Sequence, residues 1–248
     1  MISAATDRWP VDNPSQIIPV GPIPFERDLP YFARGITSGR PKIVAIGSSS
    51  VAGEGVIPFP ARLELALRNR YPGRMIDVIN RGIGGQEAPE ELTRFQDDVI
   101  AEDAALVIWQ VGTNAIYRSL YEPSVVAGIV ATGLSWLKGL GPDVILMDLQ
   151  YAPALFEDDK GNPDSNQAEK TREMEWRLAD VAQQAEVNLF QRFKLMQQWV
   201  KDGMNWDDLI NKSDRVHMTE WSTAYVTTAL DLAIARAVGS VPGGLPVV

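Results

Sequence analysis

From Lys42 onward the chain repeats one pattern: a short apolar run, a turn rich in glycine or polar residues, then a longer stretch with helical periodicity. Short strands alternating with helices are the signature of βαβ units and a mainly parallel sheet. Candidate strands are residues 42–47, 75–80, 105–111, 143–149 and, with a weaker pattern, 187–190. The run LVIWQV at 106–111 is apolar almost without alternation, as befits a strand covered on both faces. The pattern therefore predicts an α/β domain built on five mainly parallel strands.

Helical stretches are legible between the strands. Residues 60–70 set Leu63, Ala66 and Leu67 on one side and Arg62, Glu64, Arg68 and Arg70 largely elsewhere, ending at Tyr71-Pro72-Gly73. Residues 167–186 repeat Met174, Leu178, Val181 and Ala185 at helical spacing. Residues 219–238 are apolar or small nearly all round, with Gly239 as a stop. Trp109, Trp136 and Trp176 are assigned to core or half-buried packing. Residues 1–41 are different in kind. Seven of the 17 prolines fall there (Pro10, Pro14, Pro19, Pro22, Pro24, Pro30 and Pro41), a density that argues against helix and central strand alike. The expectation is an extended arm, 1–41, lying on a domain that spans 42–248.

Composition removes whole classes of chemistry. The chain has no cysteine, so disulfides, thiolate nucleophiles, iron–sulfur clusters and cysteine zinc sites are excluded. Its single histidine, His217, excludes multi-histidine metal sites. A formal charge of -9 argues against a nucleic acid or an anionic membrane as partner. No run of 18 apolar residues occurs, so no membrane span is expected. The opening MISAATDRWP lacks the basic start and apolar stretch of a signal peptide. A soluble chain is expected, its compartment open between the cytoplasm and export after loss of a signal. The acidic run EDDKGNPD at 157–164 invites a calcium loop, but with Gly161 sixth the first and twelfth positions fall on Phe156 and Gln167. A solvated loop is the better reading.

Three segments follow directly on three candidate strands: Gly47-Ser48-Ser49-Ser50-Val51-Ala52-Gly53, Asn80-Arg81-Gly82-Ile83-Gly84-Gly85 and Gly112-Thr113-Asn114. In an open parallel sheet the carboxyl ends of the strands share one edge, where ligands bind. A fourth segment, Asp214-Arg215-Val216-His217, precedes the last helix and can return a base to that edge. A serine hydroxyl needs a neighbouring base to become a nucleophile, and His217 is the only imidazole available. Asp214, three residues earlier, is placed to hold the other ring nitrogen. Backbone N–H groups of Ser49 and Gly85 and the Asn114 amide are suitable donors to an oxyanion.

The order GSSSxxG, NxGxxG, GTN and DxxH resembles the four blocks of the SGNH hydrolases, also called the GDSL esterase and lipase family. The resemblance runs from Gly47 to His217. It implies a flavodoxin-like three-layer α/β/α sandwich that hydrolyses esters or thioesters without cofactor or metal. It carries the nucleophile onto Ser49, the oxyanion donors onto Gly85 and Asn114, and the acid and base onto Asp214 and His217. Two positions depart from it: Ser48 stands where the first block usually has Asp, and Ala115 where Asp commonly follows the third-block Asn.

Other roles compete for these residues. Ser48 and Ser50 suit a polar turn, and Gly82 and Gly84 a tight turn with positive φ. Asn114 can serve as a helix N-cap and Asp214 as a cap of the final helix. Asp207 and Asp208 are rival partners for His217. The leading expectation is a serine esterase acting on a small-molecule or carbohydrate ester, an acetyl group on a sugar among them. A lipase, a thioesterase, a non-catalytic binding module and a flavin binder are the alternatives.

Overall fold

The computed structural model describes residues 24–158 and 160–239. Five strands form one parallel sheet: β1 Lys42–Gly47, β2 Asp77–Gly82, β3 Leu106–Gln110, β4 Asp143–Met147 and β5 Asn188–Phe190. Among the described residues the helices are α1 Pro30–Ser38, α2 Ser49–Ala52, α3 Phe59–Arg70, α4 Ala88–Thr93, α5 Phe95–Asp98, α6 Thr113–Tyr117, α7 Pro123–Leu140, α8 Ser165–Ala185, α9 Arg192–Lys201, α10 Trp206–Leu209 and α11 Glu220–Val238.

The strand order is β2-β1-β3-β4-β5, and every pairing is parallel. Right-handed crossovers in this order place helices leading to β2 on one face and those leading to β3, β4 and β5 on the other. The packing agrees: α3 lies against α11, and α7 against α8 and α4. The result is a three-layer α/β/α sandwich with the flavodoxin order, whose topological switch point lies between β1 and β3. All five residues of β3 and all five of β4 are buried, which accounts for their unbroken apolar runs.

The second strand begins two residues later than its apolar pattern suggested, at Asp77 instead of Met75. It lies at an edge of the sheet, so only Val78 is buried and the sequence DVINRG carries little hydrophobic signal. Met75 N donates to Gly39 O, and pairing with β1 starts at Lys42 opposite Asp77. The other strands fall within two residues of expectation.

The proline-rich reading needs a correction. Pro30 begins α1, because a proline at the first helical position forfeits an N–H that would be unpaired there anyway. Phe32 and Ile36 of α1 are fully buried in the main core, each worth about 1.5–3 kcal/mol. Leu29, the N-cap, offers no side-chain bond, and Asp143 at the start of β4 supplies it by accepting from Phe32 N at 2.8 Å. Asn188 of β5 grips the preceding turn, accepting from Arg27 N at 3.0 Å and donating to Arg27 O at 2.9 Å. The rest of the expected arm, residues 1–23, lies outside the described residues.

Helix α7 has 18 residues and a mean hydropathy of 1.2, enough by length and composition to cross a bilayer. Val126, Val130, Leu134 and Leu137 are nevertheless buried in the core, as in the core helix of a globular domain. Trp109 is fully buried, whereas Trp136 and Trp176 are 46% and 53% exposed.

Candidate active site

The sandwich delivers three connections to the switch point, and hydrogen bonds lock them to one another. Ser49 opens α2, the single turn after β1. Asn80, near the end of β2, donates from Nδ2 to Val51 O in that turn at 2.8 Å and accepts from Gly82 N at 2.9 Å. Ile83 N donates to Gly47 O at 3.0 Å. The turn after β2 is thus held against the serine helix. Gly82 does not adopt positive φ as expected. It is needed for close approach, since a Cβ there would lie 2.1 Å from Ala52 N. Gly84 also lacks positive φ, and the residue that requires it is Gly85, at +80°.

The connection after β3 joins the same cluster. Asn114 is 5% exposed, and its Nδ2 donates to Gln86 O at 2.8 Å. This bond ties the Asn114 amide to the residue after Gly85 and leaves its second hydrogen available. The cap reading of Asn114 fails, because Gly112 is the N-cap of α6 and Asn114 lies inside the helix. Neither Ser49 N nor Gly85 N donates to a protein acceptor among the described residues.

The loop before α11 completes the group. His217 Nε2 lies 2.8 Å from Ser49 Oγ, and His217 Nδ1 lies 2.9 Å from Asp214 Oδ2. With Nδ1–H donating to the carboxylate, Nε2 is left to accept from the serine hydroxyl. Asp214 Oδ1 accepts from Val216 N and His217 N, both at 2.9 Å. Burial pulls the Asp214 carboxyl upward, but these N–H bonds and the imidazole outweigh it and hold the group below its ordinary value. Asp214 does not cap α11, since Thr219 does so by accepting from Ser222 N at 3.1 Å. Asp207 is paired with Lys212 at 2.8 Å, and His217 bonds neither it nor Asp208.

The neighbouring serines divide as their surroundings dictate. Ser48 is 3% exposed, and both its N–H and its Oγ donate to Gln110 Oε1, at 3.2 and 2.9 Å. Ser50 Oγ donates to Gln150 Oε1 at 3.4 Å. Gln150 also accepts from Thr113 Oγ1 at 2.9 Å and donates to Val216 O at 3.0 Å, so one amide ties α2, α6 and the His217 loop together. Gln110 and Gln150 were not singled out from the sequence, where a glutamine at a strand end carries no motif. A buried carboxylate, Glu87, was missed too. It accepts from Gly112 N and from Ala115 N, the position that departs from the third block.

Among the described residues no cluster of His, Asp and Glu could hold a metal ion. The EDDKGNPD turn is closed from within, Asp158 Oδ1 accepting from Lys160 N and Asn162 N at 2.9 and 2.8 Å. A cavity of about 460 Å³ adjoins the Asp214–His217 loop at Arg215 and is lined by Tyr151, Phe156, Trp206, Asp207 and Asn211 among others.

Fold and family together place the protein in a class, the lipase-like ester hydrolases on an α/β fold. The chain belongs to the Non-GDSL lipase-like family, whose model matches residues 18–240. It is similar in structure to the acetylxylan esterase Axe2 of Geobacillus stearothermophilus, with a TM-score of 0.61 and 19% identity over 81% of this chain and 94% of that one. It is also similar to LAE5, an alpha/beta hydrolase from the metagenome of Lake Arreo, Spain, with a TM-score of 0.66 and 19% identity over 81% and 97% of the two chains. At such identities the likeness is one of fold. No curated protein matches the chain.

Proposed function

We propose that the protein is a serine esterase that removes small acyl groups, acetyl groups on carbohydrate foremost, through an acyl-enzyme. The observation that carries this reading is the hydrogen-bonded chain Ser49–His217–Asp214 at 2.8 and 2.9 Å. His217 Nε2 takes the proton as Ser49 Oγ attacks the ester carbonyl carbon. The N–H groups of Ser49 and Gly85 and the Asn114 amide hold the oxyanion. Collapse of the tetrahedral intermediate expels the alcohol, which receives the proton from Nε2. Water then repeats the sequence on the acyl-Ser49 ester and frees the acid.

Two observations support the carbohydrate ester. The similar structure Axe2 is described as an acetylxylan esterase. The cavity beside Arg215 offers Tyr151 stacked on Trp206 at 4.8 Å together with Asn211 and Asp207, a combination of aromatic faces and hydrogen-bonding groups suited to a sugar ring. The test is a panel of nitrophenyl esters from acetate to palmitate beside acetylated xylo-oligosaccharides and an acyl thioester. The expected result is fastest turnover of acetate and release of acetic acid from the sugars. Faster cleavage of palmitate would favour a lipase, faster cleavage of the thioester a thioesterase, and no turnover of any a binding module.

A further inference from the structure

Glu87 is 1% exposed and lies immediately after the turn that contains Gly85. Its carboxylate is surrounded by backbone donors. Oε1 accepts from Ala88 N at 3.0 Å and Gly112 N at 2.8 Å, and Oε2 accepts from Ala115 N at 3.0 Å. Only the first of these contacts serves its own helix, where Glu87 is the N-cap of α4 in a capping box with Glu90. Short side chains are the usual N-caps, and a glutamate here reaches across to a second element.

That second element needs outside support. Helix α6 has five residues, too few to persist alone, and its N-cap Gly112 has no side chain to bond its first N–H groups. Glu87 supplies the missing acceptor from α4. Residues 85–87 then act as one unit: Gly85 presents an N–H, Gln86 O fixes the Asn114 amide, and Glu87 fixes the turn from which Asn114 projects.

We infer that Glu87 is a positioning residue of the oxyanion hole, its carboxylate setting the Gly112–Ala115 turn so that the Asn114 amide faces the developing charge. The inference rests on the esterase reading above. Glu91, one turn further along α4, is a second fully buried carboxyl and bonds Trp109 Nε1 at 2.7 Å through Oε2 alone. Burial raises both carboxyls, Glu91 the further, and at Glu87 the backbone N–H donors that face the carboxyl oppose the rise.

The test is a double-mutant cycle between position 87 and Asn114→Ala, read as kcat and KM on a nitrophenyl ester. Glu87→Asp keeps the carboxyl group and a side chain well suited to cap α4 but draws the oxygens back by one methylene from Gly112 and Ala115. Glu87→Gln keeps the length but turns an NH2 group toward backbone donors. Each should lower kcat by about 10–100-fold with KM within about twofold, the size expected when a donor is misplaced by about 1 Å. In the Asn114→Ala background both losses should shrink to less than about threefold, because the amide that the carboxylate positions is gone. Near-UV circular dichroism verifies the fold of each variant. Full kcat in a folded Glu87→Asp protein, losses that add in full to that of Asn114→Ala, or failure of Glu87→Asp to fold would each overturn the inference. An Asn114→Ala enzyme with normal kcat would instead overturn the oxyanion reading on which it stands.

Discussion

Ser49 and His217 are separated by 168 positions in sequence, yet Oγ of one lies 2.8 Å from Nε2 of the other. The first is delivered by the end of β1 and the second by the loop entering α11, so the sheet edge alone brings them together. Ser49→Ala should therefore abolish turnover while leaving the melting temperature within a degree or two, since the hydroxyl supports little packing. Ser48→Ala should do the reverse. It removes a buried bond to Gln110, lowering stability by about 1 kcal/mol while much of the activity remains. Thermal melts and initial rates on both variants check the pair, and an active Ser49→Ala would remove it from the mechanism.

Asp214→Asn should lower kcat by about 10³–10⁴-fold, because an amide at this position favours the wrong imidazole tautomer. Asp207→Asn and Asp208→Asn should keep most of the activity, for neither carboxylate bonds His217. Similar losses in all three would strip Asp214 of its assigned role.

Asn114→Ala should lower kcat by about 10²–10³-fold with little change in KM. Loss of the bond to Gln86 O adds about 1 kcal/mol of destabilisation. Asn114→Asp should be inactive and less stable than the parent, since it puts a charged oxygen against the Gln86 carbonyl and has no capping role to gain. Rates and urea midpoints on both variants separate transition-state stabilisation from packing, and a normal kcat in either would count against the amide.

A pH-dependent stability term should trace to Asp143. Burial, opposed by the N–H bonds of α1 and by Arg34, pushes this carboxyl up to about 6. Because the folded chain binds the proton more tightly than the unfolded one, whose value is about 3.9, this contribution is complete below about pH 4. It is lost as pH rises through about 6. Asp143→Asn keeps an oxygen for Phe32 N and removes the titration, so the parent should lose stability relative to the variant across that window. Urea midpoints at pH 4, 5, 6 and 7 measure the difference, and a constant gap would refute the assignment.

The sheet was legible because β1, β3 and β4 are buried on both faces and so read as continuous apolar runs, whereas edge strand β2 exposes Asp77 and reads poorly. The serine, imidazole and carboxylate were legible because a chain with one histidine leaves little choice of base. The supporting layer was not. Gln110, Gln150 and Glu87 act through contacts between elements distant in sequence, with Gln150 touching Thr113 and Val216, and no local spacing announces such residues. Helix α1 was hidden because Pro30 was read as a breaker, when its place at the first turn makes it a starter.

The esterase reading stands on Ser49 as a nucleophile activated by His217. The most direct measurement is the reaction of the intact protein with a fluorophosphonate, followed by mass spectrometry of the whole chain and of its peptides. The expected result is one phosphonyl group per chain, located on Ser49, with labelling absent from Ser49→Ala and strongly slowed in His217→Ala. Labelling at another residue, or equal labelling of the parent and Ser49→Ala, would contradict it.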